Sequence, residues 1–243
     1  MLNPLDAAYA GPAAARSESV WNLRSNPAAL PFTATQIGVS GSPTAPGIGV
    51  IGEGTAAATV PLSETLGAGA TAEYTAAGAY ARTALSAVGA IDLSGVALGI
   101  EATYHSISIE GYGSAGAVTV NLGARAEVTD KITVGGAFRN VLRATLADEW
   151  LPQRLNVGFG FDLGTNTLLS IDAVQELGRS GGATLGISCE VVEGLTLRGG
   201  AGIGPGTLAL GLGYRLSSIT IDLGGAYAAP LGVRSAFGAS VRL

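Results

Sequence analysis

His105 is the single histidine of the chain and Cys189 its single cysteine. A metal centre or a hydrolytic triad needs several such groups converging on one point. His105 shares a two-residue phase with Glu101 and Thr103, and no further ligand follows at metal-binding spacing. It therefore reads as a hydrogen-bonded side chain. One thiol can form neither an intrachain disulfide nor a thiolate metal site. Serines are plentiful, but no His–Asp partnering at a readable spacing accompanies them. The stretches "GAGIGPG" and "GLGYRL" contain Gly-x-Gly without a following helix whose N-terminus could bind phosphate. Enzymatic activity, a metal and a cofactor are not expected.

The remaining chemistry is charge. Glu101, Arg125, Glu127, Arg139, Asp162, Glu190, Arg198, Arg215, Asp222 and Arg242 all fall, with His105, on the small and polar phase of alternating segments. Both signs are present, whereas a strongly ion-selective pore is lined more uniformly. Isolated charges inside a protein carry a desolvation penalty. These groups are expected to pair with one another or to tie down a neighbouring segment.

The elements that position them follow from composition and period. Of 243 residues 38 are Gly, 47% are hydrophobic, 13% charged and 6% aromatic. Mean hydropathy is +0.41, yet no window offers the roughly 18 consecutive apolar residues of a spanning helix. The net charge of -5, with 13 scattered Lys and Arg, provides no basic stripe for successive phosphates, so nucleic acid is set aside. The opening "MLNPLDAAYAG" lacks the basic and apolar regions of a secretory signal, and an exported protein would here be in its mature form.

From Arg154 onward Leu155, Val157, Phe159, Phe161 and Leu163 alternate with Asn156, Gly158, Gly160, Asp162 and Gly164. Successive side chains of a strand point to opposite faces, so one face is apolar and the other small or polar. The period predicts strands over 34–42, 48–58, 66–77, 79–90, 92–105, 115–129, 131–142, 153–164, 166–177, 182–193, 194–203, 206–216, 218–228 and 232–243. The second to fourth, including "GAGATAEYTAAGAYARTAL", alternate poorly and read as irregular β. Short turns such as Gly164-Thr165-Asn166 and Gly204-Pro205-Gly206 join them. A soluble sandwich would expose a charged face, which this chain lacks. A transmembrane barrel instead meets lipid with its apolar face and closes on itself to satisfy its backbone. The expected fold class is all-β, a transmembrane antiparallel barrel of about fourteen strands; a soluble extracellular β-protein is the alternative. Girdles of Trp and Tyr are sparse, or a partner covers part of the outer face.

"LDAAYAGPAAARSESVWNLRSNPAAL", followed at once by a strand, resembles the N-terminal region of the FadL-like outer-membrane barrels and of their PorV/PorQ branch. "LPQRLNVGFGF", "LSIDAVQELG" and the run from "ISCEVVEGLTLRGG" to the end are similar to the PorV/PorQ branch as well. The resemblance covers about two thirds of the chain. It implies a fourteen-stranded barrel over 33–243 whose segment 1–32 enters the lumen as a hatch. Trp21, Asn22, Asn26, Pro27, Ala28 and Leu30 would form the hatch and its hinge, with Ser25–Phe32 at one rim. Pro27 restricts Asn26 to extended conformations and breaks helix and strand alike. In the FadL-like channels a hydrophobic ligand leaves sideways beside an irregular strand, and 66–77 is where such a gap is expected. Ala29 in place of Gly, the three residues between Asn22 and Asn26, the terminal Leu243 and the short loops depart from the family.

Two functions follow from the resemblance. The first is a structural or accessory subunit of a secretion or surface-attachment assembly, as in type IX secretion, with protein partners in the bacterial outer membrane and lipid around it. The alternative is a passive channel for hydrophobic small molecules with an N-terminal plug.

Overall fold

In the computed structural model Leu155, Val157 and Phe159 stand exposed on the outside of a strand, while Asn156 and Gly158 between them are buried. The same alternation builds the whole wall. The structure describes residues 3–11, 13–17, 19–32, 34–43, 51–204, 206–229 and 232–243. Residues 48–50 and Pro205, which fall in an expected strand and an expected turn, lie outside these.

The first seven strands are β1 (Gln36–Ser42), β2 (Ile51–Pro61), β3 (Leu66–Ala77), β4 (Tyr80–Asp92), β5 (Val96–Ile109), β6 (Gly113–Thr129) and β7 (Ile132–Arg139). A two-residue hairpin, β8 (Thr145–Leu146) with β9 (Glu149–Trp150), interrupts the series. The wall resumes with β10 (Arg154–Asp162), β11 (Thr167–Glu176), β12 (Gly182–Val192), β13 (Leu195–Ile203), β14 (Thr207–Leu216), β15 (Ile219–Ala228) and β16 (Gly232–Arg242). Each strand pairs antiparallel with its neighbours, β7 with β10 across the hairpin. Pairing of β1 with β16, from Gln36↔Arg242 to Gly41↔Phe237, closes a barrel of fourteen strands. All fourteen expected strands are present, with ends displaced by four residues at most.

Two expectations are corrected. The segment "GAGATAEYTAAGAYARTAL" is regular: β3 pairs without interruption with β2 from Pro61↔Gly67 to Ile51↔Ala77, and with β4 from Leu66↔Ile91 to Ala77↔Tyr80. No gap opens in the wall beside β3. The register shifts lie elsewhere, between Glu127 and Thr129 and between Glu190 and Val192. The reason is that Ala and Gly satisfy a ladder as well as larger residues do, because the ladder is made by backbone.

The described residues before β1 include a helix α1 (Pro4–Ala8) and two 3-10 turns, Val20–Arg24 and Pro27–Phe32. They pack on the inward faces of walls on both sides of the barrel, α1 against β14, β15 and β16, and the second turn against β3, β4, β5 and β6. Caps start α1 and the first 3-10 turn. Asn3 accepts from the Asp6 amide at 2.8 Å, and Ser19 and Asn22 form a reciprocal box in which the Ser19 amide donates to Asn22 Oδ1 at 2.9 Å. Pro27 opens a 3-10 turn rather than merely breaking structure, since a first-turn proline gives up no hydrogen bond.

Wall glycines make room for this segment. A Cβ on Gly99 would overlap Pro27, on Gly123 Asn26 and Pro27, on Gly135 Ala14, on Gly200 Tyr9, and on Gly224 Pro4. At Gly99, Gly135, Gly200 and Gly224 the atoms met are backbone, so no other residue fits without a shift of the segment.

Candidate functional site: a plugged lumen

The N-terminal segment is held by groups from every side of the wall. Asp172 on β11 accepts from the Ala14 amide at 2.7 Å, and Arg16 Nη2 donates to Ser188 on β12 at 2.7 Å while stacking on Tyr9 at 4.0 Å. Trp21 Nε1 donates to Asp222 on β15 at 3.2 Å, and Asp222 also accepts from Arg198 at 2.8 Å. Arg24 pairs with Glu73 on β3. Asn26 Nδ2 donates to the carbonyls of Ala14 and Ala124 at 2.8 and 2.9 Å, and Arg125 Nε donates to the Ala15 carbonyl at 3.1 Å. Such charge-assisted bonds in a shielded interior are stronger than their solvated counterparts.

Beneath these ties is an apolar seal. Val20, Trp21, Leu23 and Leu30 cluster with inward-facing Ala57, Val88 and Ala90 from β2 and β4. Asn26, Ala28 and Leu30 are at most 1% exposed. These residues are buried against the inner wall, near the end of the barrel at which β1 begins. Gly99, which touches Pro27, is three residues in from Val96, or up to about 10 Å along the strand. Burial of the Leu and Ala side chains on that wall draws the turn inward.

The polar candidates divide by height. Glu101, Arg125 and Asp222 are buried; His105, Arg139, Glu190 and Arg198 are half-buried; Asp162, Arg215 and Arg242 are exposed near the rim at which β1 begins and β16 ends. They pair within a strand or between nearby strands rather than across the lumen: Arg125 with Glu127 on β6 at 3.1 Å, Arg198 with Asp222 at 2.8 Å, Arg215 with Glu190 at 3.4 Å. The side chain of Glu127 is 53% exposed. Tethering of the N-terminal segment falls to Arg125 and Asp222 from that set. It falls equally to Asp172, Glu73 and Ser188, which the sequence reading did not single out. Both amide atoms of Asn156 are buried without a protein partner. Burial pushes the Asp6 carboxyl above its ordinary range, against the pull of the Arg24 guanidinium.

Three polar cavities flank the segment. Two open toward the terminal rim, one of about 490 Å³ bordered by Gln36, Glu190, Arg198, Arg215 and Asp222, and one of about 280 Å³ between Arg16, Arg125 and Lys131. The third, about 240 Å³, lies toward the opposite rim, among Arg24, Glu73, Arg82, Glu101, His105 and Arg139, under the loop that carries β8 and β9. Asn140 secures that loop: its amide donates to Asn121 Oδ1 at 2.8 Å, its Nδ2 to the Leu151 carbonyl at 2.7 Å, and its Oδ1 accepts from the Ala144 amide at 2.8 Å. Among the described residues no group of His, Cys, Asp and Glu is arranged to hold a metal ion.

A fourteen-stranded barrel with an apolar exterior and an N-terminal segment across its lumen can be compared with known structures. The Pseudomonas putida toluene transporter TodX superposes with a TM-score of 0.76 at 12% identity, over 100% of this chain and 98% of that one. The fold is that of the FadL-like outer-membrane channels. A monoaromatic hydrocarbon channel, CymD, gives a TM-score of 0.75 at 12% identity over 100% and 97% of the two chains. A FadL homologue of Pseudomonas aeruginosa gives 0.66 at 14% identity over 99% and 98%. The first two of these structures are a transporter and a channel for hydrocarbons. No protein-family model and no curated protein sequence matches the chain.

Proposed function

We propose that the protein is a passive outer-membrane channel for small hydrophobic molecules, closed in its resting form by residues 1–32 acting as a hatch. The reading is carried by the full-length likeness to hydrocarbon channels, joined to a lumen occupied by the N-terminal segment. Exposed Leu, Ile, Val and Phe around the outer face support a lipid surrounding. Radiolabelled toluene uptake by intact Gram-negative cells, with and without the protein, tests it; lack of any increase from correctly folded barrel would sink it.

A secretion-accessory role of the PorV/PorQ kind stands second, although the sequence reading placed it first. One observation favours it: the ladder through β3 is unbroken among the described residues and the segment inside is held by many bonds. Protein partners recovered in stoichiometric amounts from native membranes would support it, and a barrel that purifies alone would count against it.

A further inference from the structure

β6 outruns the wall on one side of it. Its ladder with β7 starts at Leu122↔Phe138, whereas its ladder with β5 continues to Ile109↔Gly113. The chain after β7 adds one more bond, from the Val141 amide to the Val120 carbonyl at 2.9 Å, and then leaves the edge. Alternate residues of an antiparallel strand face alternate neighbours, so the amides and carbonyls of Ser114, Gly116 and Val118 face the same side as those of Val120. Among the described residues they make no backbone hydrogen bond there. No proline, charged residue or bulge blunts this edge between Gly113 and Val120.

The segment that fits the edge is the one that turns away from it. Continuing the β6–β7 register places Leu142 opposite Val118, Ala144 opposite Gly116 and Leu146 opposite Ser114. The chain bends over the lumen instead, through left-handed backbone at Asn140 (φ 52°) and Arg143 (φ 55°), then at Ala147 (φ 52°) and Asp148 (φ 65°) in the turn of the β8–β9 hairpin. Asn adopts that conformation readily, but Arg and Ala do so at a cost, and such a hairpin turn favours Asn-Gly. The bent form is held by the Asn140 bonds, by Gln153 Nε2 donating to the Asn140 carbonyl at 3.0 Å, by Arg143 lying 5.1 Å over the Trp150 ring, and by burial of Leu146. One segment thus has two sets of partners, and only one set is engaged at a time.

We propose that residues 140–151 are a lid with two seats. In the observed seat they cover the 240 Å³ cavity at the rim opposite the termini. In the other, residues 141–146 extend β7 along the free edge of β6 and uncover that cavity. The second seat rests on register and backbone, and holds whether or not the protein is a channel.

Amide exchange of the isotope-labelled full chain in micelles, read residue by residue by NMR, tests the proposal. In the native chain Ala115 and Ala117, whose amides face β5, should be protected, while Gly116 and Val118 exchange as free amides. Asn140→Val and, separately, Arg143→Val disfavour the left-handed bend, because a β-branched side chain resists it. Each should slow exchange at Gly116 and Val118 by about tenfold or more, the scale of relieving one left-handed residue. A water-soluble maleimide should also reach Ser86→Cys, on the cavity wall, severalfold faster in these variants than in the native lid, all in a Cys189→Ser background. Heat-shifted gel mobility checks that each barrel is folded. Gly116 and Val118 already protected in the native chain, or as free in both folded variants as in the native chain, would overturn the proposal. The second result holds even with faster labelling, which then reports a loosened loop. Protection without faster labelling would keep the strand and remove the lid.

Discussion

Asp222 meets two demands at one place. It is 2% exposed, accepts from Arg198 on the wall, and accepts from the indole of Trp21 in the N-terminal segment. Asp222→Ala leaves the largely shielded Arg198 guanidinium and a buried indole N–H without this acceptor, and should lower unfolding stability by about 3 kcal/mol. Glu190→Gln, which weakens a 3.4 Å pair with an exposed Arg215, should cost under about 1 kcal/mol. Urea unfolding in lipid micelles followed by tryptophan fluorescence compares the two, and equal losses would contradict the assignment. Asp6 gives a pH-dependent case. Its folded-state pKa is raised, so its ionised form opposes folding above that pKa and the penalty fades as the pH falls to its unfolded value. Asp6→Asn should therefore raise the melting temperature at pH 8 and lose that advantage toward pH 4. Asp222 was legible from its place in the alternating phase. Asp172 was not, because its partner is the backbone amide of Ala14, 158 residues away, which leaves no side-chain signature.

At the scale of elements, the strands were legible because one face is apolar and the other small along nearly every segment, and the period of two survives even where Ala replaces Leu. The 3-10 turns and the five-residue α1 were not. Pieces so short have no period to read, and they hold their shape through tertiary packing and caps rather than propensity. The resemblance to a hatch-bearing family pointed to the lumen, while the depth of Asn26–Leu30 follows from apolar Val88 and Ala90 on the inner wall, which pattern alone does not distinguish from outer-wall residues. The placement has a direct check. Ala15 Cβ lies 3.5 Å from where a Cβ at Gly160 would stand, within the range of a disulfide. Ala15→Cys with Gly160→Cys, in a Cys189→Ser background, should oxidise to a single internal bond visible as a reducible gel shift. Failure of that bond to form in a folded barrel would place the segment elsewhere.

For the whole molecule, closure and occupancy work against each other. A closed barrel satisfies its ladder groups wherever its strands pair around the wall, but its lumen is filled by the chain's own N-terminal segment, seated against wall glycines. On the channel reading proposed above, conduction requires that segment to move, and the bonds from Asp172, Asp222, Glu73 and Arg125 oppose that movement. Toluene uptake by intact Gram-negative cells carrying the Ala15→Cys, Gly160→Cys protein, measured before and after mild reduction, tests this most directly. The account predicts background uptake while the bond is closed and a severalfold rise once it is reduced. Uptake that is equally fast in both states, or absent in both, would contradict it.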